Sequence, residues 1–178
     1  MPQAVFHIVI AILIAEFIRE YVVKDKKKFS IYYVFIAGLA GIIPDLDVAV
    51  FWILSFFGYS LNDIHRTFTH TLFLPLLFLI LSFIFWNLKI RELGKHHLKL
   101  HTIFLMIVLG CSIHLILDAT IAGTIRPFYP LSNFELGYDL MGFLPYALQQ
   151  VFFASLDAAV FILWLIWLEY KHKISNFI

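Results

Sequence analysis

Five long apolar runs, near residues 3–23, 31–57, 71–88, 102–121 and 144–168, leave this chain few choices of fold. A transmembrane helix needs roughly 20 mainly apolar residues, and each run reaches or approaches that length. In hydrocarbon only helices and closed barrels satisfy their own backbones, and apolar runs this long read as helices. The expected fold is therefore all-α, a polytopic integral membrane bundle of about five transmembrane helices forming a single domain over 1–178. Composition agrees, because 62% of the residues are hydrophobic and 14% charged, with a mean hydropathy of +0.90, well outside the balance of soluble domains. The second run is too long for one straight span. It contains "GIIPDLD", so a helix should end or kink near Pro44 and lead into a re-entrant or interfacial segment, "VAVFWILSFFG".

The charges orient these runs. With the N-terminus outside, "KDKKK", "LKIRELGKHHLK" and "KHK" all fall on the cytoplasmic side. Eleven of the thirteen Lys and Arg then obey the positive-inside rule, leaving Arg66 and Arg126 outside. The C-terminus is accordingly expected in the cytoplasm and the protein in an inner or plasma membrane. The first run has Arg19, Lys24, Lys26, Lys27 and Lys28 after it and no basic residue before it, the reverse of a secretory signal, so it is expected to stay in the mature protein. A net charge of +1, with basic residues confined to the ends of apolar runs, gives no nucleic-acid footprint. Cys111 is the only cysteine, which excludes an intramolecular disulfide and a thiolate-rich metal site.

The polar residues inside the runs share one depth. At about 1.5 Å per residue, His7, Asp45, His114 and Asp118 lie about 18–24 Å above the cytoplasmic ends of their helices. In a hydrocarbon core of about 30 Å that is the outer leaflet, and His70 can reach it from above. His114 and Asp118 are i,i+4 and point the same way. Small residues, Ala11 and Ala15 below His7, Gly38 and Gly41 below Asp45, Gly110 below His114, mark faces where helices approach closely. Each residue has a plain structural reading. Asp45 and Asp47 after Pro44 could cap a helix, "HRTFTH" at 65–70 could be an interfacial loop, and Glu16 and Asp157 could bridge helices. His96, His97 and His101 read as a solvated cytoplasmic face. The conjunction points further, because imidazoles and carboxylates at such depth are costly unless paired, hydrated or bound to a cation. Imidazole and carboxylate ligands without thiolate suit Zn²⁺, with Mn²⁺ or Fe²⁺ as alternatives.

His7, "PDLD", "HRTFTH" and "HLILD" followed by "ATIAGTIRPFYPLSN" resemble, in order and spacing from residue 7 to about 135, the YdjM-type family of membrane-bound proteins assigned as metal-dependent hydrolases. That family is in turn distantly similar to zinc-dependent phospholipase C and the S1/P1-type nucleases, which cleave phosphate esters at zinc clusters. The resemblance implies that His7 and Asp118 bind one metal. It implies that Asp45, His65 or His70, His114 and Asp118 bind another, with Asp118 bridging. No histidine follows His114 until His172, so one or two ions are expected rather than three. The expected activity is hydrolysis of a phosphoester in a lipid or other amphiphilic substrate at the outer leaflet. Asp45 or Asp47 would orient or deprotonate the attacking water, and Arg66, with Arg126 as second candidate, would clamp an anionic oxygen. An ion-coupled transporter, or a non-catalytic membrane regulator with a structural metal, is the alternative.

Overall fold

The computed structural model describes residues 4–25, 29–87 and 98–173. Each apolar run folds as helix. Helix α1 (Ala4–Phe17) widens into π-helix over Ile18–Val23. Helix α2 (Ile31–Ala40) starts where the Ser30 hydroxyl accepts a hydrogen bond from the Tyr32 N–H. A 3₁₀ turn at Pro44–Leu46 leads into α3 (Asp47–Leu54) and a second 3₁₀ turn, Ser55–Phe57. The short α4 (Leu61–Ile64), then α5 (Phe73–Asn87) and α6 (Leu100–Leu117) follow, α6 passing into π-helix at Asp118–Ala122. The last helix is α7 (Tyr146–His172).

Two of these helical stretches, Leu100–Ile121 and Tyr146–Lys171, are long and apolar enough to cross a membrane. A third span results if Ile31–Ala40 and Ile43–Phe57, which bend by 47°, are taken as one, so the break expected near Pro44 is present. Helix length thus supports two or three spans, fewer than the five expected. Among the described residues α5 covers Phe73–Asn87, and the chain before it is held as a loop. The Thr71 hydroxyl donates to the Phe68 carbonyl and the Leu72 N–H to that of Pro127.

The chain is also not wholly α. An antiparallel ladder pairs β1 (Thr124–Ile125) with β2 (Leu136–Gly137). Its cause is local. The chain leaves α6 at Gly123 with φ 126°, which side chains rarely adopt. Opposite it, a Cβ on Gly137 would run into the Gly123 carbonyl, so glycine lets the two backbones meet.

Cross-contacts give the direction of each helix. A Cβ on Gly38 would touch Ile12, and one on Gly41 would touch the His7 backbone, so α2 runs opposite to α1. The Lys99 N–H donates to the Tyr33 hydroxyl at one end of α6, and Gly110 abuts Ala37, Ala40 and Gly41 further along, so α6 runs with α2. Phe78 and Phe85 stack on Phe104, and Trp86 on His101, so α5 opposes α6. Helix α7 bonds to α1 near both ends of α1. Asp157 accepts from the Phe6 N–H, and ten residues on in both helices Trp167 donates to Glu16, so these two run parallel. The starts of α1 and α5 and the ends of α2 and α6 therefore meet at one end of the bundle. Beneath them lies the apolar core of Ile12, Ala15, Phe29, Tyr33, Val34, Ala37 and Met106.

Candidate metal centre

The centre begins with a proline. Pro44 has no N–H to donate, so α2 cannot continue through it. The Asp45 N–H turns to the Ile42 carbonyl, leaving the Gly41 carbonyl without its helical donor. Helix α6 supplies that donor. The His114 Nδ1–H bonds the Gly41 carbonyl at 2.7 Å, and three residues earlier the Cys111 thiol donates to Ala40. A fully buried histidine is thereby fixed in one tautomer, with the lone pair of Nε2 facing inward.

Asp47, the first residue of α3, organises the loop that carries "HRTFTH". Its Oδ1 accepts from His65 Nδ1–H at 3.0 Å. Its Oδ2 accepts from the Arg66 N–H at 3.2 Å and the Thr69 hydroxyl at 3.0 Å, and lies 3.2 Å from His70 Nδ1. Arg66 sits at φ 62°, an uncommon conformation for a residue with a side chain, and its N–H bond to Asp47 helps hold it there. With both Nδ1 atoms turned to one carboxylate, His65 and His70 expose Nε2 on their far sides. Nε2 of His65 is buried with no hydrogen-bond partner.

Four acceptor atoms then converge. His70 Nε2 is 3.2 Å from His114 Nε2, 3.4 Å from Asp45 Oδ1 and 3.5 Å from Asp118 Oδ2. His114 Nε2 is 3.6 Å from Asp45 Oδ1 and 3.8 Å from Asp118 Oδ2. The second oxygen of Asp118 faces His7 Nε2 at 3.4 Å, and the His7 ring stacks on His114 with centroids 4.0 Å apart. The residues form two adjoining groups, His7 with His114 and Asp118, and Asp45 with His65 and His70. In each, one donor atom per residue lies within 4.8 Å of the others.

These spacings fit a cation. Two ligands at about 2.0–2.1 Å from a tetrahedral ion stand about 3.4 Å apart, whereas contacts of 3.6 Å and beyond are too long for hydrogen bonds. Lone pairs facing one another at such distances repel unless a proton or a metal lies between them. A metal entering here would displace any proton shared among these groups.

All six histidines and aspartates expected to bind metal, His7, Asp45, His65, His70, His114 and Asp118, are thus at one place. Arg66 joins them, its Nε 3.4 Å from Asp118 Oδ2. Arg126 is paired with Glu135. Its Nε and Nη2 both donate to Glu135 Oε1, beside the β ladder. Asp47 and Asp45, interchangeable in the sequence, differ in the structure. Asp47 is buried behind the histidines, while the Asp45 side chain is 20% exposed. His101 lies apart against Trp86, and His96 and His97 fall outside the described residues. Sequence reasoning missed the Gly41 carbonyl and Thr69. The first had a partial signal, since a helix ended by Pro44 leaves carbonyls of its last turn without helical donors.

The chain matches the profile of the YdjM inner membrane protein family over residues 1–175, and so belongs to that family. No curated protein and no solved structure gives a significant match.

Proposed function

We propose that this inner membrane protein is a metal-dependent hydrolase that cleaves a phosphoester of a lipid or other amphiphilic substrate at the outer leaflet. The observation that carries the reading is the convergence of His70 Nε2, His114 Nε2, Asp45 Oδ1 and Asp118 Oδ2 at 3.2–3.8 Å, with the far nitrogens of both imidazoles turned to Gly41 and Asp47. Metal-binding histidines are oriented in this way by a carbonyl or carboxylate behind them. One or two divalent ions would be held by His7, His114 and Asp118 and by Asp45, His65 and His70, and the nitrogen and oxygen donors favour zinc. When bound, such an ion acidifies water and polarises a phosphoryl oxygen.

The chain's own groups divide the remaining work. The partly exposed carboxylate of Asp45 takes the proton of the attacking water as its oxygen bonds phosphorus. That proton passes to the alkoxide when the ester bond breaks. Arg66 offers guanidinium donors to the anionic oxygens. The bundle agrees with a membrane-embedded position, and the basic connectors favour the N-terminus outside. Its helical runs alternate in direction, α1, α5 and α7 one way and α2 and α6 the other, as five spans require. Along α7, Asp157 lies about 21 Å from Lys171, a separation that agrees with histidines in the outer leaflet of a core about 30 Å thick.

The test is to strip purified protein with a chelator, reload it with zinc, and assay phospholipids, polyprenyl phosphates and a generic phosphodiester. Zinc-dependent release of the alcohol or phosphate product, lost in His114→Ala, is expected. Stoichiometric metal with no turnover of any of these would favour the structural-metal alternative.

A further inference from the structure

Asp157 stands on the stripe of α7 that faces α1. Residues 153, 157, 160, 164, 167 and 171 are partly covered at helical spacing, and their neighbours between them are largely exposed. Its Oδ1 accepts the Phe6 N–H at 3.0 Å. The Phe6 N–H lies in the first described turn of α1 and takes this carboxylate as its acceptor, and His7 is the next residue. In hydrocarbon no water would replace that acceptor if it were lost. A carboxylate also suits the positive end of the helix dipole. His7 is 2% exposed and bonds the centre only through Nε2, so a frayed or rotated first turn would carry its ring away from Asp118 and His114.

We infer that Asp157 is a positioning residue for the metal centre: from α7 it caps the first turn of α1 and so fixes His7 as a ligand beside Asp118 and His114. This rests on the proposed reading that the cluster binds metal. It explains an acid in the middle of an apolar helix without giving it any contact with substrate. A second polar contact between the same helices, Trp167 to Glu16 at 3.3 Å, lies ten residues away and serves as an internal control.

The experiment compares metal affinity and stoichiometry in His7→Ala, Asp157→Leu, Asp157→Asn and Trp167→Phe, by competition with a chromophoric chelator. Exchange of the Phe6 amide in metal-free protein is the second readout. Asp157→Leu should match His7→Ala, with affinity about 10–100-fold weaker at the affected site, as for lost outer partners of metal ligands. Asp157→Asn keeps an acceptor oxygen, and Asn caps helices as well as Asp, so it should retain wild-type binding and a protected amide. Trp167→Phe should also bind normally. Wild-type affinity with a protected amide in Asp157→Leu would overturn the inference. So would failure of the Asn variant to rescue, or equal loss in Trp167→Phe, which would mean that any weakening of the α1–α7 contact suffices. Absence of metal in the wild type would instead overturn the underlying reading, while the amide exchange would still report on the cap.

Discussion

Asp47 and Arg66 illustrate how much single side chains decide here. Asp47 holds two imidazoles, a hydroxyl and a backbone N–H, so Asp47→Asn substitutes a donor for one of its acceptor oxygens and forces at least one histidine out of line. We expect metal affinity about 10–100-fold weaker, read by chelator competition, with little change in fold. Unchanged affinity would mean that the loop holds its histidines without the carboxylate. Arg66→Lys tests the other role. Lysine keeps the charge and loses the fork that grips two oxygens, so turnover should fall while metal content stays near wild type. A fully active lysine variant would reduce Arg66 to an interfacial anchor. The clustered His and Asp residues were legible in the sequence because imidazoles and carboxylates at one depth of apolar helices have few other ways to be satisfied. The division of labour was not. Asp45 and Asp47 both follow the bend after α2, and which of them is buried against the histidines depends on packing that no local pattern encodes, while Arg126 is claimed by Glu135 beside a β ladder that two-residue strands do not announce.

Glycine contacts set the distances between elements. A Cβ on Gly110 would run into the Ala37 carbonyl and lie 2.6 Å from Ala40 Cβ and 2.8 Å from Gly41 N, atoms of a helix backbone that cannot swing aside. Gly110→Ala should therefore push α6 from α2 and destabilise the protein by about 1–3 kcal/mol, the usual cost of overpacking, measured by denaturant or thermal melts in detergent. It should also weaken metal binding, because the His114 bond to Gly41 depends on the same contact. Wild-type stability would show that the two helices have slack. The small-residue rows did reveal these faces from sequence, since close approach in lipid needs them. Helix lengths were less legible. Pro44 and the tied residues before Phe73 cut the apolar runs short of what composition suggested.

At the scale of the molecule, the parallel course of α1 and α7 places their starts at the same end, and the positive-inside rule predicts that this end is outside. With Cys111 replaced by alanine, a cysteine at the exposed Ser132 should react with an impermeant thiol reagent in intact cells, and one at the exposed Lys173 only after lysis. The reverse pattern would move the histidines to the cytoplasmic face and remove the outer leaflet as their place of action. The central claim, that this bundle is built around a metal centre, has a more direct test. X-ray absorption and metal analysis of the purified protein should find about one or two first-row transition ions per chain. Their first shell should contain only nitrogen and oxygen, at about 2.0–2.2 Å, and the signal should be largely lost in His114→Ala. Protein that holds no such metal after zinc loading, or a His114→Ala variant that keeps its full complement, would contradict it.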